Sequence, residues 1–315
     1  MESAHNYRSS SSASPPGGGI DLGIQENKKL TFPVRQSNKS LLIGKLRYWW
    51  CWLVAGSLLI FIATPALIVL WIINRRMWLY PLAKWGAKTW LRACGARVKV
   101  TGLEHIADGR SYVFISNHRS YLDTATLFFF AGTKMGLVAK RELLKVPVFG
   151  QGLNFVNILA IDRSNPERAL RSMEKAREVM RQGYSFGVFV EGTRAMPGEL
   201  LPFKKGAFHL AMQTDAAIIP VSIRETDWMM GKRTGVAYPG TIEMVLTEPI
   251  ETHGIPETGL MELLVRTREA IATELSAEAG NSHVPRQAQE RPPLDGPKGG
   301  LEHISLGSPL NSKVS

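Results

Sequence analysis

Residues 111–123 read "SYVFISNHRSYLD". The first half is a short apolar, β-branched and aromatic run of the kind that forms a buried strand. The second half is polar and contains a histidine and an aspartate five residues apart, His118 and Asp123. On a regular helix five residues turn about 140° around the axis, so these side chains would not face each other. They meet if His118 lies in the turn leaving the strand and Asp123 in the first turn of a following helix, with Ser116 or Asn117 as the cap. A carboxylate on one imidazole nitrogen fixes the tautomer and leaves the other nitrogen as a general base. With no serine or cysteine nucleophile in the motif, such a base would act on a substrate hydroxyl directly.

Similar short apolar runs recur at 96–104, 155–162, 186–192, 216–223 and 241–250, and read as strands. Between two of them, 166–182 has helical spacing at Leu170, Met173, Ala176, Val179 and Met180. Asn165 suits its N-cap, Pro166 its first position and Gly183 its end. A second helix is expected near 258–278. Strands alternating with helices predict an α/β domain with a mixed, largely parallel sheet flanked by helices.

Upstream, residues 48–73 form 26 positions without a charge, "YWWCWLVAGSLLIFIATPALIVLWII", crowded with aromatics at both ends. A run of about 20 apolar residues suffices to span a bilayer, and aromatic belts mark its interfaces. Lys39, Lys45 and Arg47 precede the run; Arg75, Arg76, Lys84 and Lys88 follow it. Basic residues on both flanks favour two shorter legs, broken near Gly56 or Pro65, over a single span, because a hairpin leaves both flanks on the cytoplasmic side. The expected organisation is a disordered leader (1–40, with "RSSSSASPPGGG"), a membrane anchor (41–84), a catalytic domain (85–279) and a disordered tail (280–315).

Composition agrees. The chain has 315 residues, 44% hydrophobic and 21% charged, enough for a sizeable core. Its two cysteines, Cys51 and Cys94, cannot build a disulfide framework or a structural zinc site. The net charge is +11, and residues 1–100 account for all of it, with 14 Lys/Arg against 3 Asp/Glu. Flanking an apolar run, that excess points to anionic lipid rather than nucleic acid.

Two further motifs carry chemistry. In "VFVEGTRAMPG" (188–198) a strand runs into Glu191, Gly192, Thr193 and Arg194. Gly192 allows a sharp turn, Thr193 adds a hydroxyl, and Arg194 offers a planar fork suited to phosphate. Glu191 could orient Arg194 or a nearby cation. Lys204 and Lys205 could thicken the positive field, and Pro220 inside an apolar run argues for a bend or an edge position. The G-x-S-x-G match at 183–187 is rejected as a nucleophile elbow, because a helix precedes Ser185 and a strand follows, the reverse of what that motif needs.

Together these blocks resemble the 1-acylglycerol-3-phosphate O-acyltransferase (lysophosphatidic acid acyltransferase) family. Asn117–Asp123 fits its N-H-x-x-x-x-D block and "AKRELLKVPVFGQG" (139–152) the stretch after it. "LAIDR" (159–163), "FVEGTR" (189–194) and "AIIPVSI" (217–223) fit its later blocks, in order. The resemblance implies a glycerolipid acyltransferase-like fold, with His118 as base and Asp123 as its orienter. It implies that Arg163 and the Glu191–Arg194 block bind the phosphate of the acceptor, with Asn117, Lys204, Lys205 and Pro220 as possible support. It implies acyl transfer from acyl-CoA or acyl-carrier protein to lysophosphatidic acid, giving phosphatidic acid for phospholipid synthesis, with no metal and no cofactor beyond that co-substrate. The active site would face the cytoplasm at the membrane, with membrane lipids and no nucleic acid as partners. The same transfer to a lyso-ornithine lipid or another lysophospholipid, and a catalytically inactive membrane adaptor, are the alternative readings.

Overall fold

The computed structural model describes residues 27–32, 40–74, 78–131, 135–140, 159–161 and 166–281. Strands β2 (Ala96–Thr101), β3 (Tyr112–Ser116), β4 (Met135–Lys140), β5 (Leu159–Ile161), β6 (Ser185–Phe189), β8 (Ala217–Arg224) and β9 (Gly240–Leu246) form one sheet in the order β2-β9-β8-β3-β6-β4-β5. Every neighbouring pair is parallel except β8 with β9. A separate two-stranded ribbon pairs β1 (Leu30–Thr31) with β7 (Glu199–Leu200).

The two-residue period of the central strands sorts their side chains into two cores. Tyr112 and Phe114 of β3, with Ile219, Val221 and Ile223 of β8, face helices α3 (Leu79–Ala93) and α4 (Tyr121–Phe130). Val113 and Ile115, with Ile218, face α6 (Gly206–Thr214) and α8 (Leu260–Asn281). The expected helix at 166–182 is α5 (Pro166–Arg181), stopped by Gly183 at φ 83°. Its expected cap, Asn165, lies outside the described residues. The short helix α7 (Thr226–Met230) follows β8 directly.

Four expectations change. Pro220 is not at an edge: β8 lies inside the sheet, and Pro220 pairs with Ile115 of β3. On its other side the ladder to β9 starts only at Val221, after an isolated bridge between Ile218 and Ile250, so the missing N–H falls in a gap. The context expected of Ser185 is unchanged: the residue opens strand β6 after a helix, and its Oγ accepts the Tyr112 N–H at 3.0 Å.

The apolar run is one continuous helix from Leu41 to Ile72, with no reversal at Gly56 or Pro65. It consists of α1 (Leu41–Ser57), a π-helical stretch (Leu58–Ala63) and α2 (Thr64–Ile72). Pro65 sits in the first turn of α2, and the wider π turn absorbs the hydrogen bond that proline cannot make. Thr64 Oγ donates to the Leu59 carbonyl at 2.8 Å. The chain does turn back, but after Ile72. Trp90 of α3 donates its Nε1 proton to the Cys51 carbonyl at 2.9 Å, and Trp50 donates to the Ala93 carbonyl at 3.2 Å. Helix α3 therefore crosses the expected boundary at 84–85, and its buried Leu91 belongs to the sheet core.

Residues 27–32 are not a structureless part of the leader, since β1 is docked on β7. Near the domain, the base of α1 is also pinned: the Ala237 N–H donates to the Gly44 carbonyl at 2.9 Å, and Trp52 packs edge-on against Tyr121 at 5.0 Å.

Candidate active site

Strand β3 ends where Asn117 turns its side chain inward. Its amide nitrogen donates to the Ile223 carbonyl and its amide oxygen accepts the Ile223 N–H, both at 2.8 Å. This reciprocal pair locks the end of β3 to β8, and each bond left unmade in so buried a place would cost about 1–3 kcal/mol. Asn117 is thus scaffold, not a helix cap.

The cap is Ser120. Its Oγ accepts the Leu122 N–H at 3.2 Å, while Asp123 Oδ2 accepts the Ser120 N–H at 2.7 Å, a capping box at the start of α4. Ser116, the other expected cap, donates to the Asn117 carbonyl instead. Asp123 Oδ2 also accepts the Arg119 N–H at 2.7 Å and lies 3.0 Å from His118 Nδ1. Asp123 is fully buried and His118 partly so, its ring stacked on Phe189 at 4.1 Å. With Nδ1 against the carboxylate, the other ring nitrogen, Nε2, is the one free to accept a proton. The turn-then-helix geometry read from the sequence is the one found.

Glu191 departs from its expected role. It is 2% exposed, and both of its oxygens are occupied by backbone: Oε1 accepts the His118 N–H and Oε2 the Leu201 N–H, each at 2.7 Å. It braces the histidine turn and does not orient Arg194. Beyond it, Gly192 adopts φ 73° and Thr193 is exposed. The Arg194 guanidinium lies over the Tyr121 ring, 3.6 Å from its centroid. The next residue, Ala195, donates its N–H to the His118 carbonyl at 2.7 Å, so the arginine turn and the histidine turn are hydrogen-bonded neighbours. Lys204 and Lys205 are exposed at the entry to α6, and Arg163 lies outside the described residues.

Two contributors escaped the sequence reading. Lys232 donates from Nζ to the Arg194 carbonyl, placing a second cation on this turn. Asp227 forms a buried pair with Arg119, Oδ2 to Nη1 at 3.2 Å, and also accepts the Gly198 N–H at 2.9 Å. Arg119 Nε donates to the Glu199 carbonyl at 2.8 Å. Both residues stand more than a hundred positions from the histidine motif, and neither has a local pattern to announce it. Among the described residues, no cluster of three or more His, Cys, Asp or Glu is placed to hold a metal ion.

Burial pushes the Glu191 carboxyl up to about 7, and the negative charge of Asp123 adds to the rise. The two N–H donors and Arg119 pull the other way. The folded pKa thus exceeds that of an unfolded glutamate. As pH rises from about 4.5 to about 7, the unfolded chain loses this proton while the folded chain keeps it, so unfolding becomes easier across that window and levels off above it. Denaturant titrations of wild type and Glu191→Gln at pH values through this range should show the slope in the wild type only. Identical pH dependence in both would assign the slope to other groups.

The Acyltransferase family profile matches residues 97–224. The 1-acyl-sn-glycerol-3-phosphate acyltransferase of Limnanthes douglasii is 36% identical over 159 residues, covering 50% of this chain and 56% of that protein. The Mus musculus alpha form is 34% identical over 181 residues, covering 57% and 64%. The Saccharomyces cerevisiae protein is 32% identical over 204 residues, covering 62% and 67%. The chain thus spans between about half and two thirds of these relatives' lengths. The solved 1-acyl-sn-glycerophosphate (LPA) acyltransferase of Thermotoga maritima shares the fold, with a TM-score of 0.63 at 24% identity over 75% of this chain and 96% of that one. With its four blocks in order on this fold, the chain belongs to the 1-acyl-sn-glycerol-3-phosphate acyltransferase family.

Proposed function

We propose that the chain transfers an acyl group from an acyl thioester, acyl-CoA or acyl-carrier protein, to the free hydroxyl of lysophosphatidic acid, giving phosphatidic acid. The observation that carries this reading is the hydrogen-bonded juxtaposition of a carboxylate-oriented imidazole and a cationic turn, His118 beside Arg194. His118 Nε2 takes the proton of the acceptor's hydroxyl as its oxygen adds to the thioester carbonyl carbon. Collapse of the tetrahedral intermediate breaks the C–S bond, and the departing thiolate takes the proton back from the imidazolium. Arg194, with Lys232 behind it, offers charge-assisted hydrogen bonds to the acceptor's phosphate. Relatives named as acting on 1-acyl-sn-glycerol-3-phosphate support this acceptor.

The helix Leu41–Ile72 supports attachment to a membrane. At 1.5 Å per residue it is about 48 Å long, more than a hydrocarbon core of about 30 Å. Most of the large apolar side chains left exposed among the described residues lie on it. Partly exposed Tyr121 packs against Trp52 of this helix and lies under the Arg194 guanidinium, so an acceptor held by its acyl chain along the helix would present its headgroup there. High-salt washing should leave the full chain in the membrane fraction; release by salt alone would leave only electrostatic attachment.

The acceptor is tested by thioester release with lysophosphatidate and with a monoacylglycerol, using His118→Ala as the inactive control. Arg194→Lys replaces a planar fork by a point charge. Hydrogen bonds to a charged group contribute about 1.5–3 kcal/mol, so kcat/KM for lysophosphatidate should fall about ten- to a hundred-fold. Any turnover of monoacylglycerol should hardly change. Equal losses on both acceptors, with a lower Tm, would remove Arg194 from the phosphate site.

A further inference from the structure

The segment 27–32 is polar at its start and ends in Leu30-Thr31-Phe32, whose two apolar side chains pack against the core, and it is built into the wall of the site. Leu30 and Thr31 pair with Leu200 and Glu199, and the Phe32 N–H donates to the Gly198 carbonyl at 2.6 Å. Asn27 closes the other end. Its amide nitrogen donates to the Phe203 carbonyl at 3.0 Å, and its amide oxygen accepts the Phe203 N–H at 2.7 Å. Asn27 holds a left-handed backbone, φ 48°, which asparagine tolerates better than most residues.

Arg268 of α8, fully buried, fastens both layers at once. It donates to the Leu201 carbonyl at 3.0 Å and to the Lys28 carbonyl, and its Nη1 lies 3.4 Å from Asn27 Oδ1. A buried guanidinium is costly to desolvate, and here its two terminal nitrogens are directed at backbone carbonyls of both layers, while Nε has no partner among the described residues. The Phe32 ring also stands against Arg119, 5.4 Å from the guanidinium carbon. Lys29 and Glu199 form a surface pair at 3.1 Å, which adds little.

This wall, 198–203, is what Glu191 grips. The Leu201 N–H on one carboxylate oxygen and the His118 N–H on the other make a two-bond path from the clamped segment to the base. We propose that Asn27 and Arg268 are positioning residues for acyl transfer: by clamping residues 27–32 onto the wall at Leu201–Phe203, they hold Glu191, and through it the His118 backbone, in register. The segment lies outside the stretch matched by the family profile, and it precedes the apolar helix in the chain. The inference rests on the acyltransferase reading for its effect on rate, but its structural half stands alone.

The test uses full-length Asn27→Gly and Asn27→Asp. The glycine keeps the left-handed backbone and removes both side-chain bonds to Phe203 together with the Arg268 contact; the aspartate keeps the acceptor for the Phe203 N–H. Turnover with lysophosphatidate and amide hydrogen exchange at His118 and Leu201 are measured on each. A small displacement of a catalytic group lowers rate steeply, so Asn27→Gly should reduce kcat about ten-fold with KM within about two-fold. Exchange at both amides should accelerate, and Asn27→Asp should recover part of kcat and of the protection. A kcat within about two-fold of wild type for Asn27→Gly would overturn the proposal. So would losses in kcat that merely follow the unfolded fraction. If the wild type moves no acyl group to lysophosphatidate, the acyltransferase reading fails, and exchange still decides the clamp: unchanged protection at His118 and Leu201 overturns it.

Discussion

One buried oxygen, Asp123 Oδ2, receives the His118 ring and the backbone N–H groups of Arg119 and Ser120. A carboxylate removed from water must replace its hydration with donors or lose its charge. Here the replacement comes from the turn itself. The same three contacts start helix α4, bend the chain out of β3 and aim the imidazole. The first turn of a helix also favours a negative charge. Removing this carboxylate would therefore undo local structure and chemistry together.

A second layer surrounds that turn. The Arg119–Asp227 pair is buried, and most of its polar atoms have further partners: Glu199 O for Nε, the N–H groups of Gly198 and Trp228 for the carboxylate. Arg119 Nη2 and Asp123 Oδ1 have no partner among the described residues. A buried pair of this kind adds little net stability over an apolar filling, but it admits few alternative geometries. Its consequence is a fixed distance between the histidine turn, the arginine turn and the wall at 198–203. The base of α1 joins the same assembly through Trp52 on Tyr121, beneath Arg194. The apolar helix and the cationic turn are thus parts of one packed unit.

What the sequence disclosed follows the range of the forces involved. The strands at 112–116, 217–224 and 240–246 were legible because their burial on the sheet leaves apolar, β-branched runs. His118 and Asp123 were legible as a pair because a turn followed by a helix is a local geometry. Glu191 was legible as a site residue but not in its role, since its partners are backbone amides 73 and 10 residues away. Asp227, Lys232 and Arg268 act through contacts that no local pattern encodes. The order of residues 27–32 is of the same kind: Leu30 and Phe32 pack against the core, and the polar start of the segment is held by hydrogen bonds to Phe203 and from Arg268, all of them partners far away in the sequence. The expected hairpin break failed for a different reason, because a π turn lets a helix continue through Pro65.

The chemistry proposed for His118 requires Asp123 to hold the ring with its proton on Nδ1 and Nε2 open to the acceptor hydroxyl. The most direct measurement is the ¹⁵N spectrum of the His118 ring in the full-length protein, at a pH where the imidazole is neutral. Asp123 bound to Nδ1–H predicts a protonated Nδ1 and a lone-pair Nε2, with that preference lost in Asp123→Ala. A neutral ring carrying its proton on Nε2 would rule out this role, because that nitrogen could not then act as the base.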